Sequence, residues 1–409
     1  MMNIRMLSLE FPNEVEEYMR RLDVYSDGIK IMSPKANCFL VNLEGISSVA
    51  ANILKQEMLS VAGEVAVPKD VILGKSRDTH CLVMGNLNQL RQLSRKLERQ
   101  PFGLNVFSDR LNELLDNYLS DKFVIDTPRH KINIRKRTLI IGIVNLTPDS
   151  FSGDGLYAFK NIHNSRYLQE MIVQDIEKKV RDGADIIDVG GESTRPGSKP
   201  LRPKEEIARV VPIIKRIVRR IKVPISVDTY KPEVAHAALD SGADILNNIM
   251  GVKNDSRLLK VASRYRAGLV LMHIKGRPRT MQKDPSYNCL MGEIVDSLDK
   301  SIQFAVGQGV KKERIIIDPG IGFGKTLEHN LEILKKLSEL RTLGRPILVG
   351  PSRKSFIGKV LDLPANDRLM GTAAAVCVAI KNGAHIVRVH DVKKIKETVK
   401  LTDAILNPN

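Results

Sequence analysis

Eight short runs rich in branched apolar residues recur after residue 138: Leu139–Val144, Asp185–Val189, Pro224–Val227, Asp244–Leu246, Gly268–Met272, Arg314–Ile317, Pro346–Val349 and His385–Val389. Between most of them lie stretches with helical period, among them Ile176–Asp182, Glu205–Arg220, Glu233–Asp240 and Leu327–Arg341. Strands that are apolar on both faces and alternate with helices predict a parallel sheet covered on both sides. Gly183-Ala184, Gly242-Ala243 and Gly383-Ala384 stand just before three of the runs, where a helix-ending glycine belongs. Eight such units in roughly 270 residues is the count of a (β/α)8 barrel. A doubly wound sheet would need a glycine-rich dinucleotide turn after its first strand. Asn145-Leu146-Thr147-Pro148-Asp149 stands there instead. The expected fold class is therefore α/β, a (β/α)8 TIM barrel over residues 138–409 preceded by a small α/β domain over residues 1–125.

The boundary is expected near residues 120–138. There the helix-like Leu111–Leu119 gives way to the polar, proline-containing Asp126-Thr127-Pro128-Arg129-His130. Within the first domain, strands are expected at Met6–Leu9, Gly28–Met32, Cys38–Asn42, Val65–Val67 and Cys81–Met84, and helices at Ile46–Leu59 and Asn88–Gln100. It carries no chemical motif, and Lys69 and Lys75 beside apolar positions read as solvated faces. Over the whole chain of 409 residues, 43% hydrophobic and 27% charged content excludes disorder and a coiled-coil rod. The longest apolar runs, such as Leu139–Leu146, fall far short of the ~20 residues that cross a bilayer, so no membrane span is expected. The start, Met1-Met2-Asn3-Ile4-Arg5, has no apolar signal core, and no leader is expected. Cys38, Cys81, Cys289 and Cys377 form no Cys-x-x-Cys pair, which argues against a zinc ribbon or disulfide framework and suits a reducing cytoplasm.

The net charge of +17 is unevenly spread. Residues 1–130 hold 16 Lys and Arg against 17 Asp and Glu, while residues 131–409 hold 48 against 30, a net of +18. Such a field attracts either small anionic substrates or nucleic acid. Nucleic-acid binders interleave basic stripes with aromatics. Here aromatics are 4% with no Trp, and no basic block exceeds stretches like Arg216–Arg220, so no nucleic-acid partner is expected.

Barrels of this kind place their active sites at the C-terminal ends of the strands, and unusual polar residues gather there. The eight ends carry, in order, Asn145 to Ser152, Asp188 to Gly197, Asp228-Thr229, Asn247-Asn248, His273, Asp318 to Lys325, Gly350 to Ser355, and Arg388 to Asp391. Asp228 and Asp318 end apolar strands, and a buried carboxylate needs a cation or a bonded ligand. An ion pair with Lys354 is the structural alternative. Two Asp, the amide of Asn247 and the Lys354 ammonium together suit a flat, amide-like heterocycle with N–H donors and a carbonyl. Gly320–Thr326 fails as a phosphate loop because Pro319 occupies the required first glycine; it reads as a βα loop presenting Phe323. In Thr194-Arg195-Pro196-Gly197, Arg195 can take an anion bidentately, against the plain reading of a surface turn. Arg388 and His390 lie two apart, on one side of a strand, and suggest a phosphate pocket. A satisfied core histidine is the plain alternative for His390 and for His273. Asn145 can lend one oxygen to a Mg2+ held mainly by substrate phosphates and water.

These segments resemble the signature segments of dihydropteroate synthase, from about residue 138 to the C-terminus. Asn145–Ser152, Asp188–Gly197, Ser226–Thr229, Asp318–Lys325, Ser352–Ser355 and Arg388–Asp391 carry the resemblance. It implies condensation of 6-hydroxymethyl-7,8-dihydropterin diphosphate with p-aminobenzoate to 7,8-dihydropteroate and diphosphate, in folate biosynthesis, by a cytoplasmic homodimer. It further implies that Asp228, Asn247, Asp318 and Lys354 hold the pterin, with Met272 and Gly350 beside it. Asn145, Arg388 and His390 then receive the diphosphate, with Mg2+ at Asn145, and Thr194, Arg195, Pro196, Phe323 and Ser355 form the p-aminobenzoate pocket. Arg388, His390, Lys354, Asp228 and Asp318 are the expected catalytic set. No residue looks like a general base for the weak arylamine nucleophile, so help is expected at the leaving group. Two departures stand out: Ser152-Gly153-Asp154-Gly155 where the family usually has Ser-Asp-Gly-Gly, and Asn248 where it usually has Asp. The rival readings are a methyltetrahydrofolate-dependent methyltransferase, which has no use for a diphosphate pocket, and a non-catalytic nucleic-acid-binding protein, which leaves the polar strand ends unexplained.

Overall fold

The computed structural model describes residues 4–9, 12–74, 79–135, 137–147, 166–193, 200–248, 256–276 and 280–407. The chain divides into two compact units, Met1–Tyr118 and Leu119–Asn409.

In the first unit α1 (Pro12–Arg21) and α2 (Ser26–Met32) precede β1 (Cys38–Ile46), α3 (Ser48–Leu59), β2 (Glu64–Ala66), β3 (Thr79–Asn86), α4 (Leu87–Leu97) and α5 (Leu104–Leu119). The strands pair antiparallel in the order β1-β3-β2. Val41, Val65 and Val83 from the sheet pack with Leu54, Leu90 and Leu111 from the helices. Two expected strands are absent. Gly28–Met32 lies in α2, and Met6–Leu9 forms no strand. A strand would put Ile29 and Ile31 on one face; Ile29 is buried while Ile31 is 61% exposed, the offset of a helical turn.

The second unit begins with a hairpin, β4 (Phe123–Asp126) and β5 (Lys131–Ile134). The barrel follows: β6 (Leu139–Asn145), α6 (Arg166–Arg181), β7 (Ile186–Gly190), α7 (Pro203–Ile217), β8 (Ile225–Asp228), α8 (Pro232–Asp240), β9 (Ile245–Asn248), α9 (Ser256–Arg264), β10 (Gly268–Met272), α10 (Leu290–Gly307), β11 (Ile315–Asp318), α11 (Leu327–Lys335), β12 (Leu348–Val349), α12 (Ser355–Leu361), α13 (Leu369–Lys381), β13 (Ile386–Val389) and α14 (Val392–Leu406). The eight strands β6 to β13 run parallel in the order β11-β10-β9-β8-β7-β6-β13-β12, and a parallel bridge between Ile317 and Ile347 joins the two ends. The (β/α)8 expectation and its strand positions therefore hold. Gly183, Gly242 and Gly383 have φ of +106°, +107° and +101°, which explains the recurrent Gly-Ala turns, since a side chain there would be strained.

The polar stretch expected to link the domains is the turn of the β4–β5 hairpin. Ile125, Ile132 and Ile134 plug the barrel floor against Ile141, Ile186, Ile245, Val270, Ile316 and Ile386. Its polar tip is held from inside. The fully buried Asp244 carboxylate accepts from Arg129 Nη2 (2.9 Å), Arg129 Nε (3.2 Å), Thr127 Oγ1 (3.3 Å) and the Ile225 N–H (3.0 Å), with His130 Nδ1 at 3.1 Å. Thr127, Arg129 and His130 of the expected boundary stretch are thus partners of one buried charge.

Candidate active site at the barrel mouth

The barrel interior is layered by the two-residue period of its strands. Ile186, Ile245, Val270, Ile316, Leu348 and Ile386 form the apolar floor. Two residues further along the same strands stand Asp188, Asn247, Met272, Asp318, Gly350 and Arg388. Asp228 enters the same region from the end of β8, aligned with Asn247 on β9 and Gly190 on β7. Above them opens a cavity of about 710 Å³. Its wall includes Asn145, Asp228, Asn247, Met272, Asp318 and Phe323. Gly350, Lys354, Ser355, Arg388 and His390 complete the set expected there. Thr194, Arg195 and Pro196 lie outside the described residues, as do Asp149 to Asp154.

Arg388 is the hub. Its Nε donates to Asp188 Oδ2 at 2.7 Å and its Nη2 to Asp228 Oδ2 at 2.9 Å. Asn247 Nδ2 donates to the same Asp188 oxygen at 3.1 Å. The ion pair weighed between Asp228 and Lys354 is thus made by Arg388 instead. Asp318 Oδ1 accepts the Gly320 N–H at 2.7 Å. The Lys354 ammonium lies 4.1 Å from the centre of the Phe323 ring, a cation–π contact. His390 Nδ1 is 3.0 Å from Ser352 Oγ, which itself accepts the His390 N–H at 3.3 Å. Both ring tautomers satisfy these contacts, since the Ser352 hydroxyl can donate to Nδ1 or accept from it. Arg353, with φ of +57°, forks onto Asp391 at 2.7 and 3.1 Å.

Burial dominates the ionisation of these groups. It pushes Asp228 up to about 7, with Arg388 opposing and Asp188 adding to the rise. It pushes Asp318 up to about 6, against the Gly320 N–H and the Lys354 charge. Lys354 is pulled down to about 8 by burial and by Arg388. His390 is pulled down to about 3 by burial, Arg388 and Arg353, and is a neutral imidazole at pH 7. Arg388 resists its own burial because Asp188 and Asp228 raise it. The mouth is a desolvated cluster of donors and acceptors whose charges nearly cancel.

Sequence reasoning assigned no role to Asp188. It is fully buried, its Oδ1 has no hydrogen-bond partner among the described residues, and Ser226 Oγ, on the residue paired with it across β7 and β8, has none either. A charged residue inside an otherwise apolar run, two past Ile186, was the available signal. Lys231 was missed too. It is buried between Glu192 and Glu206, at 2.5 Å from each, and Glu192 also accepts from Tyr230 Oη and the Leu201 N–H. His273 stays a core histidine, against Lys325 Nζ at 3.0 Å.

Comparison with known proteins bears on this mouth directly. The family described as pterin binding enzyme matches residues 141–390. Dihydropteroate synthase of Synechocystis sp. is 46% identical over 271 residues, 66% of this chain and 91% of that protein. That of Bacillus subtilis is 45% identical over 284 residues, 69% of this chain and 94% of that one. A crystal structure of the Clostridium difficile dihydropteroate synthase in the presence of pteroic acid superposes with a TM-score of 0.61 at 43% identity, over 67% of this chain and 98% of that one. The Xanthomonas albilineans dihydropteroate synthase with 4-aminobenzoic acid superposes with a TM-score of 0.63 at 35% identity, over 70% of this chain and all of that one.

Proposed function

This chain belongs to the dihydropteroate synthase family of pterin-binding enzymes, transferases of folate biosynthesis, and we propose the following division of its barrel mouth for that reaction. The pterin head lies on Asp228, Asn247, Asp318 and Lys354, beside Met272 and Gly350. The diphosphate tail lies towards Asn145, Arg388 and His390. p-Aminobenzoate enters over Phe323 and Ser355; the family resemblance adds Thr194, Arg195 and Pro196, outside the described residues, to its pocket. The observation that carries this reading is the single polar layer above an apolar floor, with carboxylates and an amide at one end and Arg388 and His390 beside them. Buried Asp carboxylates need N–H donors, which a pterin amide and amine supply at fixed spacing.

In the condensation the arylamine nitrogen attacks the pterin methylene carbon, the carbon–oxygen bond to diphosphate breaks, and its electron pair leaves with the diphosphate. The new ammonium then loses a proton. Negative charge therefore grows on the leaving group. Asp228 and Asp318 are taken up by the pterin, and Arg388 and His390 are the groups suited to the leaving oxygen. The Arg388 Nη1 donors are uncommitted among the described residues, and a neutral His390 carries one ring N–H beside them. Both act in a desolvated site, where fixed donors stabilise developing charge most. Asp228 and Asp318, when ionised, favour the positive charge that develops on the methylene as the bond to diphosphate loosens. The donor set fits a Mg2+ that arrives with the diphosphate. Asn145 offers one amide oxygen, and among the described residues no group of three His, Cys, Asp or Glu builds a protein cage. Such an ion would neutralise diphosphate charge.

The same reading makes the enzyme a cytoplasmic homodimer. Its support is a set of exposed apolar side chains on α13 and α14, which pack together, with Met370, Leu401 and Ile405 the most prominent, and four cysteines that form no disulfide. No described helix is long and apolar enough to cross a membrane. The deciding assay follows dihydropteroate and diphosphate in the presence of both substrates and Mg2+. Equimolar formation, lost in Asp318→Asn, is expected. Diphosphate release that does not depend on the arylamine would contradict the reading.

A further inference from the structure

Behind the cavity wall, in the loop between β11 and α11, lies Lys325. It is almost fully buried and is not among the groups that face the cavity. Among the described residues its ammonium donates to the Phe323 carbonyl at 3.0 Å and approaches His273 Nδ1 at 3.0 Å. Among the described residues no carboxylate lies within ion-pair distance of it. Burial pulls it down to about 7, with Asp318 opposing. The fold thus bears a desolvation cost to keep an amine at this place.

The loop it holds is built to close tolerances. Gly320 and Gly324 adopt left-handed φ of +70° and +62°. A Cβ on Gly320 would come to 2.0 Å from the His273 carbonyl oxygen, and one on Gly324 to 2.3 Å from that of Lys275. The loop backbone therefore lies directly on the segment after β10. Gln282 Nε2 donates to the Gly322 carbonyl (2.7 Å) and Tyr287 Oη to the Gly324 carbonyl (2.8 Å). Between those two anchored peptides stands Phe323, whose ring meets the Lys354 ammonium and whose carbonyl is held by Lys325.

We infer that Lys325 is a positioning residue for the acceptor side of the reaction: by tying the Phe323 carbonyl to the His273 ring it fixes the Phe323 ring against Lys354, and so governs arylamine affinity rather than pterin affinity or turnover. The inference deepens the proposed function and rests on the placing of Phe323 beside the arylamine.

The test uses the full-length enzyme and steady-state rates with each substrate varied against a saturating level of the other. Lys325→Met should raise the p-aminobenzoate KM on the order of tenfold, as loss of a charge-assisted hydrogen bond does, with kcat and the pterin KM within about twofold of the parent. Lys325→Gln, uncharged and one atom shorter, serves at most one of the two partners and should raise the same KM by less. Phe323→Ala, measured alongside, should raise it as well. If Phe323→Ala raises the arylamine KM and both Lys325 variants leave it unchanged, the inference is overturned and the placing of Phe323 stands. If Phe323→Ala leaves it unchanged, the placing itself falls. A loss spread equally over both KM values and kcat overturns the inference by making Lys325 a general structural support. Should Lys325→Met not fold, Lys325→Gln decides, and an unchanged arylamine KM overturns the inference.

Discussion

Arg388 makes the barrel mouth a problem in charge balance. One guanidinium holds Asp188 and Asp228 together, and a planar fork does this where an ammonium cannot. Arg388→Lys, which keeps the charge and loses the fork, should lower kcat on the order of a hundredfold, as removal of one oriented donor from a transition state does. Single-turnover rates at saturating substrate check this, and an unchanged rate would contradict it. Asp228 allows a prediction of opposite sign for stability. Its carboxyl is raised from 3.8 to about 7 in the folded protein. The folded state therefore binds that proton more tightly, and stability is lost as pH rises between those two values. Asp228→Asn removes the loss. The Tm of the variant relative to the parent should climb through this window and level off above it, while activity is lost. Melting curves from pH 4 to pH 9 check the trend, and a difference that shrinks with rising pH would contradict it.

At the scale of elements, the period of two explains what was legible. Each strand could be located from its branched apolar run, and the residue at its end then faced the mouth. Arg388 and His390, two apart, both line the cavity, as that period requires. Asp188 stood among the polar residues at the end of the second strand, but no local pattern shows that Arg388 and Asn247 converge on it. The hairpin escaped for a different reason. Thr127, Arg129 and His130 are polar because they satisfy Asp244, a partner about 115 residues away, and no local pattern reveals so distant a contact. Lys231 is of the same kind, since its two glutamates come from the β7 end and from α7. Lys231→Met leaves the buried Glu206 and the partly buried Glu192 without their cation and should cost roughly 3–5 kcal/mol of stability. Denaturant unfolding reads this as a lower midpoint at unchanged slope, and a midpoint within error of the parent would refute it.

At the scale of the whole molecule, the family match covers residues 141–390, and the hairpin ahead of it completes the barrel floor. A chain beginning at Leu119 should therefore fold and retain turnover. One beginning at Thr138 loses Ile125, Ile132 and Ile134 from the floor and should be markedly less stable, since each large apolar side chain removed from a core costs about 2–5 kcal/mol. Circular dichroism melts and rates on the two shortened chains test this; equal stability would contradict it. The net charge of +18 on residues 131–409 agrees with two anionic substrates, and kcat/KM should fall as ionic strength rises. The most direct measurement is a crystal structure of the enzyme with a non-reactive analogue of the pterin diphosphate. The account predicts the bicyclic head on Asp228, Asn247 and Asp318, and the phosphorus atoms beside Asn145, Arg388 and His390. An analogue bound outside this cavity, or with its head and tail exchanged, would contradict it.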